Sequence, residues 1–470
     1  MKVNWLFSSL LGVLLLCFSS CSHVSQENSV WVTTNIQERL GKQVQWYQGC
    51  EADLLVQEKI QLLLETDLTA DGAVQIALLK NPRVQTIFEE IGVSQADLVE
   101  AGLFSNPVFD LFIRYPTKKN FIADIEYTIT TSFIDLFLIP LRVKVAKAEL
   151  EQTTLRVTNE VLDVAFDVEQ TYYELQASEQ KLKITQSIVE LTSIHNEIAS
   201  RQKNVNNINS LEFQQIQSRF LDAELEIARI QNEIIRLKEK LTKLLGLCKD
   251  VQYSIAQNLP ELDYQGLPVD HLECVAFRER LDLQAARFEV IRLSRKLGVE
   301  QWWVYTNGRI GIAGERYENG LNTIGPAFSG AIPIFNYGQA ARMRLRAELR
   351  QAQDKVETLE IHILSEVREA HKLLMNNLQV INDYRDRIIP LQAKILESSE
   401  ELYNVMGLGV DRLLENKRQE LQAYSNYILS LRDYWIARVQ LDRALGGKLY
   451  KIFSHENEPA PWYCKEGAVE

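Results

Sequence analysis

GPAFSGAIPIFNYGQAARMRLRAEL, from Gly325 to Leu349, passes from small and apolar residues through Pro333 and a Gly338 turn into a run of Ala, Arg and Leu. Read locally, it is a strand that hands directly into a helix. It decides the fold because it occurs twice. The earlier copy, TITTSFIDLFLIPLRVKVAKAEL from Thr128 to Leu150, carries Ile139-Pro140 where the later one carries Ile332-Pro333, 193 residues on. Further out, Leu245-Gly246 and Leu445-Gly446 close two helical runs at an offset of 200. The chain is therefore read as a duplication with a unit of about 200 residues, a period far beyond solenoid repeats and suited to a pseudo-symmetric body.

Two strands are expected upstream of each long helix. In the first repeat Phe109, Leu111, Ile113 and Tyr115 face one side against Asp110 and Arg114, with Phe112 out of pattern. After the polar turn TKKNF, Ile125, Tyr127, Ile129, Thr131 and Phe133 alternate with Glu126, Thr128, Thr130 and Ser132. Period-two alternation of this kind marks a strand apolar on one face. In the second repeat the strands are expected over Trp302–Ala313 and Ala327–Ile334, with GERYENGLN between them as an exposed turn.

From Arg142 the period changes. Val143, Ala146, Leu150, Thr153, Val157, Val161, Val164, Val168, Thr171 and Leu175 recur at steps of three and four, a heptad seam uninterrupted by Gly or Pro. Carried to Lys203, it predicts a rod of about 60 residues, roughly 90 Å long. NVNNINSLEF breaks it, with Ser210 placed to cap a returning helix that carries Phe213, Ile216, Phe220, Ile227, Ile234 and Leu241 on one stripe. The second repeat repeats the plan from Gln339, through a kink at Pro390, to the turn YNVMGLGVD and back to Leu445. Each repeat thus ends in a coiled-coil hairpin.

The organisation read from these signals is an export signal at 1–21, a leader at 22–72, a first repeat at 73–248, a link at 249–268, a second repeat at 269–449 and a tail at 450–470. Lys2 and the short apolar run Leu6–Phe18 make a signal rather than a comfortable membrane span. FSSC ends the signal, so Cys21 is the expected acylated first residue of a lipoprotein, plain cleavage being the other reading. Cys50, Cys248, Cys274 and Cys464 are too far apart for a zinc knuckle; they are isolated thiols, or pairs such as Cys248 with Cys274. A net charge of -12 without a basic stripe argues against a nucleic-acid surface. Six histidines are scattered with no HExxH or other ligand spacing, and no nucleophile, base and oxyanion donor can be assembled. No enzyme, metal or cofactor is expected.

Four strands cannot close a barrel, and an open edge in lipid leaves backbone groups unpaired. Several subunits must share one barrel, with the rods extending it. At this point a family resemblance can be stated. GPAFSGAIPIFNYGQAARMRLRAEL, VSQADLVEAGLFSNP and YNVMGLGVDRLLENKRQEL resemble the TolC-like outer membrane efflux factors over about Ala73 to Leu449. The resemblance implies a mostly α protein with a membrane β part: a homotrimer whose long coiled-coil hairpins form an α-barrel continuous with a 12-stranded β-barrel, four strands per chain. It implies a passive exit duct, for small molecules, metal ions or proteins, served by a periplasmic adaptor and an inner-membrane pump. The competing readings are a periplasmic coiled-coil adaptor or structural lipoprotein, and an exported enzyme with a coiled-coil insertion.

The resemblance also points to the hairpin tips. Asn206, Asn207 and Asn209 in the first repeat, and Tyr403, Gly407 and Gly409 in the second, become adaptor contacts; turn chemistry alone is the alternative, with the glycines freeing the second tip from helical dihedrals. Asp411 and Glu415, four apart on the returning helix, become a ring of gate carboxylates if their face is inward, with Arg412 a group that could instead pair with a neighbour; a solvated helix face is the alternative. Pro140 and Pro333 are expected where strands meet helices, in a structural role.

Overall fold

The computed structural model describes residues 27–46, 52–115, 117, 122–247, 253–260, 262, 271–302, 308–317, 319–332 and 334–448. The signal with Cys21, Pro333, most of the TKKNF turn and the tail lie outside them. The elements in chain order are α1 (Glu27–Leu40), α2 (Ala52–Leu64), α3 (Ala70–Lys80), α4 (Pro82–Gly102), β1 (Val108–Arg114), β2 (Asp124–Ser132), α5 (Asp135–Asn204), α6 (Ser210–Leu245), α7 (Leu272–Glu279), α8 (Leu281–Glu300), β3 (Arg309–Arg316), β4 (Asn322–Ser329), α9 (Gln339–Asp383), a π-helical turn (Tyr384–Ile388), α10 (Ile389–Asn404) and α11 (Val410–Leu445). They divide into two compact units, one drawn from residues 1–31, 89–155 and 284–356, the other from 32–88, 156–283 and 357–470.

The first unit holds a four-stranded antiparallel sheet in the order β1-β2-β3-β4. Residues directly opposite in such a ladder share a face. The register aligns Phe109 with Ile129, Ile129 with Ile312 and Ile312 with Pro326, so one face is apolar across all four strands. The opposite face carries Asp110, Asp124, Glu126 and Glu315, with Arg114 reaching Asp124 at 3.3 Å and Glu126 at 2.8 Å. On the apolar face Phe109 is 59% and Phe328 79% exposed, so no described residue covers it.

In the second repeat the first strand starts and stops later than the alternation indicates, and the second starts and stops earlier. Arg309–Arg316 and Asn322–Ser329 take residues from both ends of GERYENGLN, leaving only 317–321 as the turn. Gly314 hides the pattern: its partner is Tyr127, whose ring lies where a Cβ on Gly314 would stand, 2.3 Å away. The side chain missing from one strand is supplied by the next. Pro326, which reads as a breaker, sits in β4 at the edge of this sheet, where a missing donor is tolerated. The two Ile-Pro pairs are not structural equivalents either. Pro140 lies inside the second turn of α5, past the junction at 133–134, whereas Ile332 precedes the start of α9.

The long helices form as their periodicity requires. Helix α5 has 70 residues, and at 1.5 Å per residue it is about 105 Å long. Within the second unit its seam residues Val157, Val161, Val164, Val168 and Leu175 are buried. Pro390 does not end the second rod. The π-helical turn precedes it, with Ile389 N–H bonded to the Tyr384 carbonyl, and Pro390 falls in the first turn of α10, where no donor is needed. That turn adds one residue and re-phases the seam. Upstream, Ile363, Val367, Ala370, Leu374 and Ile381 are buried; continued by heptads they point to 395 and 398, yet Leu396 and Ser399 are the buried ones.

Both repeats close in the same way. Gly246 and Gly446 end α6 and α11 in the left-handed region, at φ of 70° and 81°. Each lies on the joint between its repeat's two short helices, Gly246 over Asn81 and Gly446 over Arg280. Asn81 Nδ2 donates to the Leu244 carbonyl at 2.8 Å, and Arg280 Nη1 to the Ala444 carbonyl at 3.3 Å. The leader joins the same closure: Arg39 donates to the Gly446 carbonyl at 2.7 Å and pairs with Glu279 at 3.1 Å.

The link between repeats, expected to be loose, is bound where it is described. Ile255 bridges to Leu68 in a parallel pairing, and Gln176 Nε2 donates to the carbonyls of Ala256 and Asn258, both at 2.7 Å. Cys274 is in a disulfide whose other half lies outside the described residues, so for this cysteine the isolated-thiol reading fails.

Candidate functional site at the hairpin tips

Both tips belong to the second unit and share one backbone path, offset by 200 residues. At the end of α5, Asn206 takes φ of 60°, its N–H bonds the Lys203 carbonyl at 3.0 Å, and Asn207 N–H bonds the Gln202 carbonyl at 2.8 Å. At the end of α10, Met406 takes φ of 60°, its N–H bonds the Tyr403 carbonyl at 3.0 Å, and Gly407 N–H bonds the Leu402 carbonyl at 2.7 Å. This pair of bonds around a left-handed residue is the Schellman termination. Asn209 then caps α6, its side chain accepting from Glu212 N–H at 2.8 Å, while Gly409 holds the equivalent position before α11 without a side-chain cap.

The expectation that Gly407 and Gly409 free the second tip from regular dihedrals is therefore misplaced. The left-handed residue is Met406, a side chain for which this region costs about 1–2 kcal/mol. Asn206 fills that place in the first repeat with less penalty, since its short polar side chain tolerates it. Met406 is 95% exposed and Val205 and Val405 are each 74% exposed, so the described residues leave these apolar groups mostly uncovered. Tyr403 stays at the surface as well, 43% exposed. Strain and uncovered apolar area thus coincide at the second tip.

Behind the tips, two contacts join the hairpins. His195 on α5 is buried, and its Nε2 lies 3.0 Å from Oδ1 of Asp411 in the first turn of α11. One turn further on, Glu415 bonds Arg418 at 2.8 Å on its own helix, Gln419 at 3.2 Å, and Arg219 of α6 at 3.4 Å. The Arg418 guanidinium, chiefly by hydrogen bonding, holds the Glu415 carboxyl below the usual carboxylate range. Glu415 in turn raises Arg418. Arg412 between them is exposed. Asn416 Nδ2 donates to Ser399 Oγ at 2.6 Å, tying α11 to α10 at the same level.

Within one chain, then, Asp411 and Glu415 are not bare carboxylates: each is engaged by a basic side chain from the other hairpin. Arg418 could have been read from its spacing, three residues after Glu415. His195 and Arg219 could not, because each lies about 200 residues from its partner in sequence and on no shared motif.

Residues 125–247, which run from β2 to the end of α6, match the family model described as outer membrane efflux protein. The chain is 21% identical over 390 residues, 81% of its length and 90% of the relative's, to the cobalt-zinc-cadmium resistance protein CzcC of Cupriavidus metallidurans. Its fold is similar to that of the outer-membrane channel OprN, with a TM-score of 0.66 at 16% identity over 81% of this chain and 90% of that one. CusC gives a TM-score of 0.66 at 15% identity, covering 81% and 93%. The CmeC outer membrane channel of Campylobacter jejuni gives 0.66 at 14%, covering 81% and 86%. Residues 125–247 thus match the outer membrane efflux protein model, and over about four fifths of its length the chain has the fold of the solved outer-membrane channels.

Proposed function

We propose that the chain is one subunit of a trimeric exit duct, the outer membrane channel of a tripartite efflux or type I secretion system. One observation carries this reading. Among the described residues the sheet has an apolar face that nothing covers and two unpaired edges, β1 and β4. In lipid such edges must be closed by another chain, and three copies give twelve strands, an even number within the range of such barrels. In the second unit, Leu221, Leu225 and Ile235 on α6 and Leu391 and Ile395 on α10 stand uncovered, and a neighbouring copy buries them in the ring.

Acylated at Cys21, the chain is anchored in the outer membrane, with its hairpins in the periplasm. The tips around Asn206, Asn207, Asn209, Met406, Gly407 and Gly409 receive the periplasmic adaptor, through which the inner-membrane pump is reached. His195 with Asp411, and Arg219 with Glu415, hold the hairpins of one chain together and so keep the periplasmic end closed. The cargo is of the classes such ducts pass, small molecules, metal ions or proteins, and the duct itself adds no chemistry.

The test is conductance of the purified, heat-resistant trimer in a planar bilayer. A small conductance that grows when Asp411→Ala loosens the tips supports the reading. A folded trimer that makes no channel in any variant returns the chain to the periplasmic adaptor or structural class.

A further inference from the structure

The strands are short for the task just proposed. They have 7, 9, 8 and 8 residues. At about 3.3 Å per residue and a tilt of about 40°, they span about 18–23 Å, less than the roughly 25 Å apolar band of an outer-membrane barrel. The missing height is present at the ends that lead to helices. Phe104 before β1, Phe133, Leu136 and Phe137 after β2, and Ile332 and Phe335 after β4 are all exposed, Phe137 at 66% and Phe335 at 89%. Phe133 continues the alternation of Ile125, Tyr127 and Ile129, and Ile332 that of Ile324, Pro326 and Phe328, so both extend the apolar face of the sheet.

Immediately beyond this apolar layer the charge turns positive. Residues 135–150 and 339–350 hold seven Lys or Arg against three Asp or Glu, in a chain whose net charge is -12. Some of these cations are already used. Arg142 pairs with the buried Asp135 at 3.3 Å, and Arg342 donates to the Tyr337 carbonyl at 3.0 Å. Of the carboxylates, Glu149 faces Arg292 at 4.0 Å. Lys144, Lys147, Arg344 and Arg346 are exposed and form no ion pair among the described residues. On α5 the steps from Leu136 to Phe137, Lys144 and Lys147 are one, eight and eleven residues, which at 100° per residue puts all four within about 100° of one another. Apolar groups with long cations on the same helix face one to three turns further on are the arrangement of an interfacial anchor, stems along the hydrocarbon and charges at the headgroups.

We propose that the strand–helix junctions complete the lipid-facing band and that Lys144, Lys147, Arg344 and Arg346 bind the phosphates of anionic phospholipids in the leaflet on the helix side of the membrane. The proposal rests on the membrane-spanning reading and adds to it a lipid class and a place. A basic residue at an anionic surface is worth about a fivefold preference for anionic over zwitterionic lipid.

The test uses the full-length trimer reconstituted in phosphatidylcholine with spin-labelled phosphatidylglycerol or spin-labelled phosphatidylcholine, reading the relative association of the two labels. The wild type is expected to prefer phosphatidylglycerol several-fold. The variant Lys144→Gln/Lys147→Gln/Arg344→Gln/Arg346→Gln is expected to fall to near parity with its conductance retained. The two double variants, Lys144→Gln/Lys147→Gln and Arg344→Gln/Arg346→Gln, each lose part of the preference and carry the test if the quadruple variant does not assemble. An unchanged preference in variants that still conduct overturns the lipid site and leaves the channel standing, whereas a wild type that never conducts overturns the channel. Loss of the preference on adding inorganic phosphate would assign the cations to a free anion and also defeat the proposal.

Discussion

Asp411→Ala is the perturbation whose size the structure fixes best. It removes the carboxylate 3.0 Å from Nε2 of His195, a side chain only 8% exposed, and leaves that ring nitrogen without its partner. An orphaned buried polar group costs about 1–3 kcal/mol, which as a shift between joined and parted hairpins is roughly a 5- to 150-fold rise in the parted population. Asp411→Asn keeps an oxygen for the ring to donate to, so we predict no more than about a fivefold rise, the loss of charge assistance alone. Arg219→Ala removes a half-exposed partner 3.4 Å from Glu415, while Arg418 stays bonded to that carboxylate. An exposed pair of this kind is worth about 0.2–1 kcal/mol, and the rise is about twofold. Open probability in planar bilayers, recorded at one pH and salt concentration, reads the order directly. If Arg219→Ala opens the channel as much as Asp411→Ala, or Asp411→Ala leaves it closed, the buried contact is not what holds the hairpins together.

Three further outcomes follow from the same geometry. Because Arg418 lowers the folded-state carboxyl of Glu415, the Glu415 contacts are complete above the ordinary glutamate range near about 4.3 and are lost as pH falls through its lower folded value; acid opening below that range is expected in the wild type, and Glu415→Gln should lack that component in a conductance titration. Gly246→Ala should lower the thermal stability of the helical part more than Gly446→Ala. Both pay for a left-handed alanine, about 1–2 kcal/mol, but the first also brings Cβ to 2.8 Å from Asn81 Cα where the second meets nothing closer than 3.2 Å; equal losses by circular dichroism would count against the packing argument. Deleting Asp386 from the π-helical turn turns everything beyond it by about 100°, carrying Leu396 and Ser399 off their buried positions; a variant as heat-resistant as wild type would show that the phase of α10 does not matter.

Much of this architecture was legible because its signals are local and repeated. The seam of α5, the Asn-rich and Gly-containing turns and the alternation of β2 each lie in one continuous stretch, and duplication displayed most of them twice. The strands of the second repeat were harder, since Gly314 and Pro326 erase alternation there and only the register with Tyr127 and Ile312 restores it. The tips show the same limit. Their position follows from turn chemistry, but the left-handed residue is a methionine that no propensity would choose. The partners of Asp411 and Glu415 from the other hairpin were invisible, because burial of His195 and the reach of Arg219 come from packing between segments about 200 residues apart.

Helices α6 and α11 have the same length, 36 residues each, and both run from a tip turn to a left-handed glycine seated on a joint between two short helices. They act as two legs of equal length standing on equivalent footings. One residue added to either leg would displace its tip by about 1.5 Å and swing it by about 100°. The outgoing helices are not bound by this rule: one is a single run of 70 residues, the other is broken into 45, 5 and 16, and the π-helical turn absorbs the difference in phase. The returning legs therefore work as the gauge of the molecule. The outgoing rods differ in length and continuity while the returning legs match residue for residue, so each chain offers two tips borne on legs of equal length.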